Sequence, residues 1–331
     1  MTEDKFVKLK NSIDAMIDRG DVYGASFSFI NENQIDSFYH GFQGKDPFAE
    51  RLDPSMIYDL SSLTKVVATT TRVFQLLSVH ELGLKDSVTA YLPGFSHPEV
   101  TIENLLLHNS GLPADVTNAR NLSGIELIKK IYEAPLSYQP GEKTVYSDLG
   151  FILLGLIIRT LNGSLDKSVQ DHIWYPLAMM NTGYNLNRPK SRFVPTEIDA
   201  QRGQIQGQVH DYKALLLNGE SGHSGLFSTL SDLTVFTEMM INRGKYQQKE
   251  VLDPNLFDLM ASYDENGRTL GWRRIAHREQ YVQTGYTGTI LAFDPINKQG
   301  FVCLTNRIYP THENERWNKD RDDLINQFFA D

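Results

Sequence analysis

The chain has 331 residues, 40% hydrophobic and 22% charged, a composition typical of a globular protein with one large or two smaller domains. Its formal net charge of −9 provides no basic excess to neutralise phosphates, which argues against nucleic acid or an anionic membrane as a partner. The polar, acidic N-terminus shows no signal-peptide pattern and no apolar stretch reaches the length of a membrane span, so we expect a cytoplasmic protein.

The N-terminal region predicts a helix followed by a β-hairpin. Residues 5–19 carry apolar side chains at helical spacing, and Gly20 ends the predicted helix. Residues 25–30 and 35–39 are aromatic and β-branched, and they flank the turn-forming segment 31–33.

The middle of the chain predicts helices joined by loops. Apolar residues recur at helical spacing in five segments, at 65–79, 102–107, 123–134, 149–161 and 230–243. The polar segments near 185–207 and 263–268 predict surface loops.

The C-terminal region predicts a second hairpin, formed by residues 289–293 and 300–305, and a last helix over 322–329. The single cysteine, Cys303, lies in an apolar run and is expected to be a buried strand residue. Strands at both ends predict one antiparallel sheet formed by both chain ends. We expect a single domain over 1–331, with a sheet part at about 1–60 and 270–331 and a helical part at about 66–265.

The segment Ser62-Leu63-Thr64-Lys65 places a hydroxyl and an amine three residues apart, just ahead of an apolar helix. On a helix these two side chains share one face, one turn apart. A serine hydroxyl needs a neighbour to take its proton before it acts as a nucleophile, and a lysine can assist. The alternative is a serine that only caps the helix.

The segment Tyr146-Ser147-Asp148 precedes the predicted helix 149–161. A short loop that opens a helix can present a phenol and a carboxylate together to a cleft. The alternative is a buried tyrosine followed by an aspartate that caps the helix.

The segment Gln283-Thr284-Gly285-Tyr286 leads toward the predicted strand 289–293. A glycine there allows another backbone or a ligand to approach closely, although a simple bulge or turn has the same signature. A fourth segment, 222–228, contains Ser224 but lacks the glycine spacing of a G-x-S-x-G nucleophile turn, so we interpret it as a packing turn.

These four segments, in this order, resemble the serine β-lactamase/penicillin-binding-protein superfamily, and most of all its class C β-lactamase-like branch of serine hydrolases and esterases. The resemblance includes the segments 106–113, 207–211 and 304–307, and it extends from about residue 20 to 329.

The resemblance implies an α/β sandwich, with an antiparallel sheet, flanking helices and a mostly helical inserted subdomain beside the active-site cleft. It also implies acyl transfer through a covalent ester on Ser62, assisted by Lys65 and Tyr146. Which of these two side chains is the base stays open. The backbone N–H groups of Ser62 and Tyr286 would form the oxyanion hole.

For the substrate, the resemblance implies contacts with Asp148, Gln283, Thr284 and Gly285, and Asp148 would hold either Lys65 or a substrate amide. Many relatives carry lysine or histidine where this chain has Gln283, and a glutamine offers a substrate carboxylate no charge-assisted partner. This departure favours small neutral esters, unless an arginine such as Arg307 supplies the charge.

Several alternatives stay open. A D-alanyl-D-alanine carboxypeptidase, a β-lactamase and a slow penicillin-binding module with little turnover share the same residues, and a structural protein with a degenerate site is a further alternative. Neither a cofactor nor a metal is expected, because the chain has no H-E-x-x-H, P-loop or G-x-G-x-x-G pattern and its histidines are scattered. The expected partner is a small-molecule ester, amide or peptide substrate.

Overall fold

The computed structural model describes residues 2–32, 34–44, 49–314 and 316–330. Within these ranges the strands are β1 (Gly24–Asn31), β2 (Gln34–Gly41), β3 (Ile57–Asp59), β4 (Gly183–Tyr184), β5 (Ile198–Asp199), β6 (Gly203–Gln204), β7 (Leu226–Thr229), β8 (Lys245–Tyr246), β9 (Lys249–Glu250), β10 (Arg273–Arg274), β11 (Tyr281–Gly285), β12 (Thr289–Asp294) and β13 (Gln299–Thr305).

The helices of the same ranges are α1 (Thr2–Asp18), α2 (Thr71–Ser78), α3 (Ile102–Leu106), α4 (Gly124–Tyr132), α5 (Asp148–Asn162), α6 (Leu165–Val169), α7 (Tyr175–Leu177), α8 (Tyr212–Leu216), α9 (Leu230–Ile241), α10 (Asn255–Ser262) and α11 (Trp317–Phe329). Two π-helical segments, Lys65–Thr70 and Gln170–Trp174, precede α2 and α7.

The main sheet has six strands in the order β10-β11-β12-β13-β1-β2, and its neighbouring strands are antiparallel. The N-terminal strand β1 lies beside the C-terminal strand β13, with Phe27 opposite Cys303. The predicted antiparallel sheet from both chain ends is therefore confirmed. A smaller sheet has the strand order β3-β7-β4, and its strand β3 ends shortly before Ser62.

The two faces of the main sheet pack against different helices, because alternate side chains of a strand point to opposite faces. Phe27, Phe29 and Cys303 belong to a core shared with α1 and α11. On the other face, Ser28 Oγ lies 2.8 Å from Thr234 Oγ1 of α9. The result is the predicted α/β sandwich. Burial also raises the pKa of the Cys303 thiol to about 12, as expected for an unreactive strand residue.

The helix predicted over 65–79 is present, but its first part is π-helical. The hydroxyl of Thr70 donates to the carbonyl of Lys65, and the hydroxyl of Thr71 donates to the carbonyl of Val66, both at 2.8 Å. Each bond reaches a carbonyl five residues earlier, so the threonines support the wider turn.

Helix α5 runs through the core beside this segment. Ser147 caps it, since its Oγ accepts the N–H of Leu149 at 3.2 Å, and Asp148 adds a negative charge to the first turn. The cap fixes Tyr146 just outside the helix and Asp148 just inside it.

Two segments predicted as surface loops contain more structure than expected. Residues 198–204 form the small hairpin β5-β6, and Phe193 and Val194 nearby are buried. In the other loop, Arg268 forms an isolated antiparallel bridge with Arg273 and is only half exposed.

In the part of the chain that the structure describes, no single helix is long and apolar enough to cross a membrane. Helix α5 and the helical segment Leu165–Leu177 together meet the requirement by length and composition only, and they bend by 79° at their junction.

Candidate active site

Ser62 lies in a tight turn between β3 and the π-helical segment. The Asp59 carboxylate accepts the N–H of Ser61 at 2.8 Å and shapes this turn. Ser61 has φ of +48°, a left-handed conformation that a residue other than glycine adopts only when its surroundings impose it. Ser61 is buried, whereas Ser62 is half exposed and reaches the cleft.

The Lys65 side chain is fully buried and points to Ser62. Its Nζ donates to Ser62 Oγ at 2.9 Å and to the carbonyl of His223 at 3.1 Å, and it lies 2.8 Å from Asp148 Oδ1. A lysine ammonium has three hydrogens, so each of them has an acceptor.

The charge states of Lys65 and Asp148 follow from the groups around them. Burial alone would lower the pKa of Lys65, but the Asp148 carboxylate and the Tyr146 hydroxyl raise it above its ordinary value. Burial would likewise raise the pKa of Asp148, but Lys65, His223 and Lys213 hold it well below its usual range. At neutral pH Lys65 is therefore a charged donor rather than a free base.

Tyr146 lies between two cations. Its hydroxyl accepts a hydrogen bond from Gln283 Nε2 at 3.1 Å. Lys65 Nζ and Arg268 Cζ each lie 4.9 Å from the centroid of its ring. The ring of His108 packs against it at 4.5 Å between centroids. The phenol is thus held by packing and faces positive charge on two sides.

His108 is neutral. Burial, Arg268 and Lys65 together lower the pKa of its imidazole well below the ordinary value. Its Nδ1 accepts the N–H of Ser147 at 3.1 Å, so the proton is on Nε2, for which the described residues offer no acceptor. His108 therefore supports the Tyr146 loop.

Asp148 also forms an ion pair with a second lysine, Lys213, which the sequence analysis did not predict as a site residue. Lys213 Nζ lies 3.2 Å from Asp148 Oδ2 and 3.5 Å from Asp211 Oδ2. Burial alone would lower the pKa of Lys213, but these two carboxylates raise it well above its usual range. Asp211 Oδ1 lies 2.8 Å from Nε2 of His223, whose carbonyl accepts from Lys65. The two oxygens of Asp148 therefore lie against different lysines, Oδ1 against Lys65 and Oδ2 against Lys213.

Potential metal-ligand atoms of Asp148, Asp211 and His223 lie within 4.8 Å of one another. The ammonium groups of Lys65 and Lys213 already lie within 3.5 Å of these carboxylates, so a metal cation would compete with two fixed positive charges. The donor set fits an ion-pair network better than a metal site.

The Gln283 side chain lies in the cleft wall and contacts both Ser62 and Tyr146. Its side chain is only 5% exposed, and Nε2 lies 3.5 Å from the carbonyl of Ser62 in addition to its bond with Tyr146. It is therefore a neutral donor at the position where we expected a substrate contact.

The end of β11 packs tightly against the Ser62 turn. A Cβ at Gly285 would lie 2.6 Å from the carbonyl oxygen of Leu60, so only glycine fits. Thr284 is half buried and lines the cleft. The N–H of Tyr286, one of the two predicted oxyanion donors, donates to Ser61 Oγ at 3.2 Å. No sequence pattern indicated that the Ser61 hydroxyl would accept this N–H.

The segment 222–228 was predicted as a packing turn; residues 222–225 pack as a turn against α5, whereas the remainder lies in strand β7. A Cβ at Gly222 would lie 2.2 Å from the carbonyl oxygen of Phe151, and Gly225 has φ of +114°. The Ser224 hydroxyl is buried and has no hydrogen-bond partner among the described residues.

Two cavities share Ser62, Tyr146 and Tyr286 in their walls, so they meet at Ser62. One, of about 650 Å³, is also lined by four arginines, Arg268, Arg273, Arg307 and Arg321. The other, of about 690 Å³, is also lined by charged residues of both signs, Asp115, Arg120, Asp148, Asp211 and Lys213.

Comparisons with known proteins agree with this architecture. A model of the family described as Beta-lactamase matches residues 9–324. The chain belongs to the Beta-lactamase family. It is 33% identical to an N-acetylmuramyl-L-alanine amidase of Bacillus subtilis (strain 168), over 76% of this chain and 68% of that protein. It is 31% identical to a putative D-alanyl-D-alanine carboxypeptidase of Escherichia coli (strain K12), over 76% of this chain and 69% of that one. This Beta-lactamase family member is therefore a serine hydrolase of the β-lactamase/carboxypeptidase type.

Solved structures show the same fold at lower identity. EstCE1, described as a hydrolase with promiscuous acyltransferase activity, superposes with a TM-score of 0.77 at 18% identity and covers 98% of both chains. A β-lactamase/D-alanine carboxypeptidase from Pseudomonas syringae superposes with a TM-score of 0.78 at 18% identity and covers 99% of both chains.

Proposed function

We propose that this Beta-lactamase family member cleaves an amide or ester bond by transferring the acyl group to Ser62 Oγ. The observation that carries this proposal is the contact of Ser62 Oγ with Lys65 Nζ at 2.9 Å, inside a cleft that also presents Tyr146. Because Lys65 is charged and its three hydrogens have acceptors, we assign the base role to Tyr146.

In the proposed reaction, the Ser62 O–H bond breaks as Oγ attacks the substrate carbonyl, and the phenolate of Tyr146 takes the proton. Tyr146 then gives that proton to the leaving nitrogen or oxygen as its bond to the carbonyl carbon breaks. A water molecule attacks the Ser62 ester and loses its proton to Tyr146, which returns a proton to Ser62 as the acid leaves. Lys65 keeps its proton throughout and stabilises the negative charge.

For the substrate, we propose an amide of a short, carboxylate-bearing peptide. The support is the presence of Arg273, Arg307 and Arg321 in the cleft wall, since guanidinium groups bind carboxylates through paired hydrogen bonds. The neutral Gln283 suggested an uncharged substrate, but these arginines supply charge from other elements. The amidase of Bacillus subtilis and the putative carboxypeptidase of Escherichia coli are named for amide substrates of this kind.

A small neutral ester is the second candidate substrate. The observation in its favour is Gln283, which places an uncharged amide beside Ser62 and Tyr146. The preference for esters over amides, derived from the sequence, stays a prediction.

A hydrolysis panel tests the proposal with four substrates: p-nitrophenyl acetate, a chromogenic cephalosporin, a D-alanyl-D-alanine peptide and N-acetylmuramyl-L-alanine. Ser62→Ala is the control for each. We expect Ser62-dependent turnover, with kcat/KM higher for a carboxylate-bearing amide than for p-nitrophenyl acetate. Faster cleavage of the neutral ester would support the second candidate instead.

Burst kinetics separate an enzyme from a slow acylating module. One equivalent of product released without further turnover on every substrate would contradict the proposed hydrolase. Turnover that survives in Ser62→Ala would contradict the assignment of the nucleophile.

A further inference from the structure

Part of the positive charge beside Tyr146 comes from Arg268, which was not among the predicted site residues. Gln283 Nε2 touches the Tyr146 hydroxyl at 3.1 Å but carries no charge. The guanidinium of Arg268 lies 4.9 Å from the Tyr146 ring centroid, at the same distance as the Lys65 ammonium. Arg268 comes from the loop between α10 and β10, a different element from either of the others.

Among the described residues, the Arg268 side chain has no hydrogen-bond or ion-pair partner. No carboxylate within the described ranges lies at ion-pair distance from it, and its Nη1 is buried without a hydrogen-bond partner there. Burial lowers its pKa, and Tyr146 is the neighbour that acts in the opposite direction. Burying an unpaired cation costs free energy, so a fold that keeps it there without a structural partner indicates a role in the cleft.

The loop holds this arginine in a fixed place. Arg268 and Glu265 exchange two backbone hydrogen bonds, of 3.1 and 2.7 Å, and Arg268 bridges to Arg273 of β10. In addition, the Thr269 hydroxyl donates to the carbonyl of Met260 in α10 at 2.5 Å. The guanidinium therefore approaches Tyr146 from an ordered segment.

We propose that Arg268 is a positioning residue of the active site, which supplies from the α10–β10 loop the positive charge that Tyr146 needs and that Gln283 cannot provide. The inference rests on the proposed function, in which Tyr146 is negatively charged before it takes the Ser62 proton. Arg268 acts through Tyr146 and gives up no proton itself, because a guanidinium stays charged throughout the working pH range.

The other titratable and charged groups around Tyr146 supply less net positive charge to it than Arg268 does. His108 is neutral, as its lowered pKa shows. Asp148 is negative and neutralises much of the Lys65 charge through their contact of 2.8 Å. Besides Lys65, Arg268 is the cation in contact with the Tyr146 ring within the described ranges, and no carboxylate there forms an ion pair with it.

Variants that remove the positive charge or move it to another residue test the inference. Their activity is measured with p-nitrophenyl acetate, an uncharged substrate that needs no arginine for binding. Arg268→Gln should lower kcat/KM roughly 10- to 100-fold, the effect of losing one unit charge about 5 Å away at the surface of a protein cleft. The acidic limb of its pH–rate profile should move to higher pH. Arg268→Lys should retain much of the activity.

The double variant Arg268→Gln/Gln283→Lys should recover at least about tenfold of the loss, because it returns a cation to the Tyr146 hydroxyl from β11. Gln283→Lys in the wild-type background should bring no comparable gain, because the cation is already present. Arg159→Gln, an exposed position in the wall of a separate cavity, removes the same charge and should leave activity unchanged.

Wild-type kcat/KM for Arg268→Gln on the neutral ester would overturn the inference, and so would a double variant without recovery. A loss seen only with carboxylate-bearing substrates would also overturn it, since Arg268 would then bind substrate. If a fluorophosphonate fails to label Ser62 in the wild type, the proposed function itself fails. Labelling of Ser62 in Arg268→Gln at the wild-type rate contradicts the inference alone.

Discussion

At the scale of single residues, we propose that Lys65 and Tyr146 have different roles in one proton transfer. Lys65 Nζ donates a hydrogen bond to Ser62 Oγ, and in the proposed reaction Tyr146 moves the proton. We expect Tyr146→Phe and Lys65→Met each to lower kcat at least about 100-fold, the scale of general acid–base catalysis. The double variant should lose little more, because both residues serve one step.

Steady-state kinetics with p-nitrophenyl acetate measures this coupling. Near-normal kcat for Tyr146→Phe would show that Tyr146 is a packing residue against His108. Fully additive losses in the double variant would show that the two side chains act in separate steps.

Ser61 offers a second prediction at this scale. Its hydroxyl accepts the Tyr286 N–H that we expect to bind the substrate oxyanion, and its φ is +48°. Ser61→Ala should free that N–H and raise kcat roughly two- to tenfold, the equivalent of one neutral hydrogen bond of about 0.5–1.5 kcal/mol. Ser61→Gly should do the same and should also fit the backbone conformation better.

The rate at which a fluorophosphonate phosphonylates Ser62, with loss of fluoride, is the measurement for Ser61→Ala and Ser61→Gly. If both variants react at the wild-type rate or more slowly, the Ser61 hydroxyl does not compete for the oxyanion site.

At the scale of elements, the start of α5 places two residues of the proposed site, Tyr146 and Asp148. Ser147 Oγ accepts the Leu149 N–H and donates to the carbonyl of Pro113 at 2.7 Å. Ser147→Ala should lower the free energy of unfolding by about 1–2 kcal/mol and should also lower kcat roughly tenfold, since Tyr146 and Asp148 flank the cap.

Ser164→Ala is the matched control, because Ser164 caps α6 by accepting the Lys167 N–H at 3.1 Å. It should cost about 1 kcal/mol of stability and leave kcat unchanged. Chemical denaturation together with kcat measurement separates the two effects. Equal kcat losses in the two variants would contradict a positioning role for the α5 cap.

The elements also show where sequence reasoning succeeds. Both hairpins and the helices α1, α2, α3, α4, α5, α9 and α11 were predictable because their apolar side chains repeat at strand or helix spacing over short distances, whereas α6, α7, α8 and α10 were not predicted. Ser62, Lys65 and Tyr146 could be proposed from the sequence because each lies in a local motif, and their role stays a prediction. Arg268 and Lys213 could not, since Arg268 lies in a segment predicted only as a surface loop and Lys213 lies in α8, which was not predicted.

At the scale of the whole molecule, stability should depend on pH through His108. Its imidazole has a lowered pKa in the folded state, so the unfolded chain takes up a proton first as pH falls below about 6.5. The contribution is fully present above that pH. It is lost progressively below it, with a slope that approaches about 1.4 kcal/mol per pH unit.

Urea unfolding at pH values between 7 and 5 measures this slope, and His108→Gln should flatten it because glutamine does not titrate. Asp148 and Asp211 also have lowered pKa values, but their contribution is lost only as pH falls below the ordinary carboxyl range, near 4. An unchanged slope in His108→Gln would show that His108 is not the group responsible.

The same unfolding curves test the domain organisation. We propose that residues 1–331 unfold as one domain, because β1 and β2 from the N-terminal end share the main sheet with β13. The sequence predicted this pairing of the two ends, but it could not show how the middle of the chain packs onto the sheet, since those contacts join residues far apart. Two separate transitions would contradict the one-domain proposal.

Intact-mass spectrometry after incubation with a fluorophosphonate or a penicillin tests the central claim most directly. We predict one covalent adduct per chain, mapped by peptide fragmentation to Ser62 and absent from Ser62→Ala. An adduct that persists in Ser62→Ala, or that maps to the buried Ser224, would contradict the assignment of Ser62 as the nucleophile.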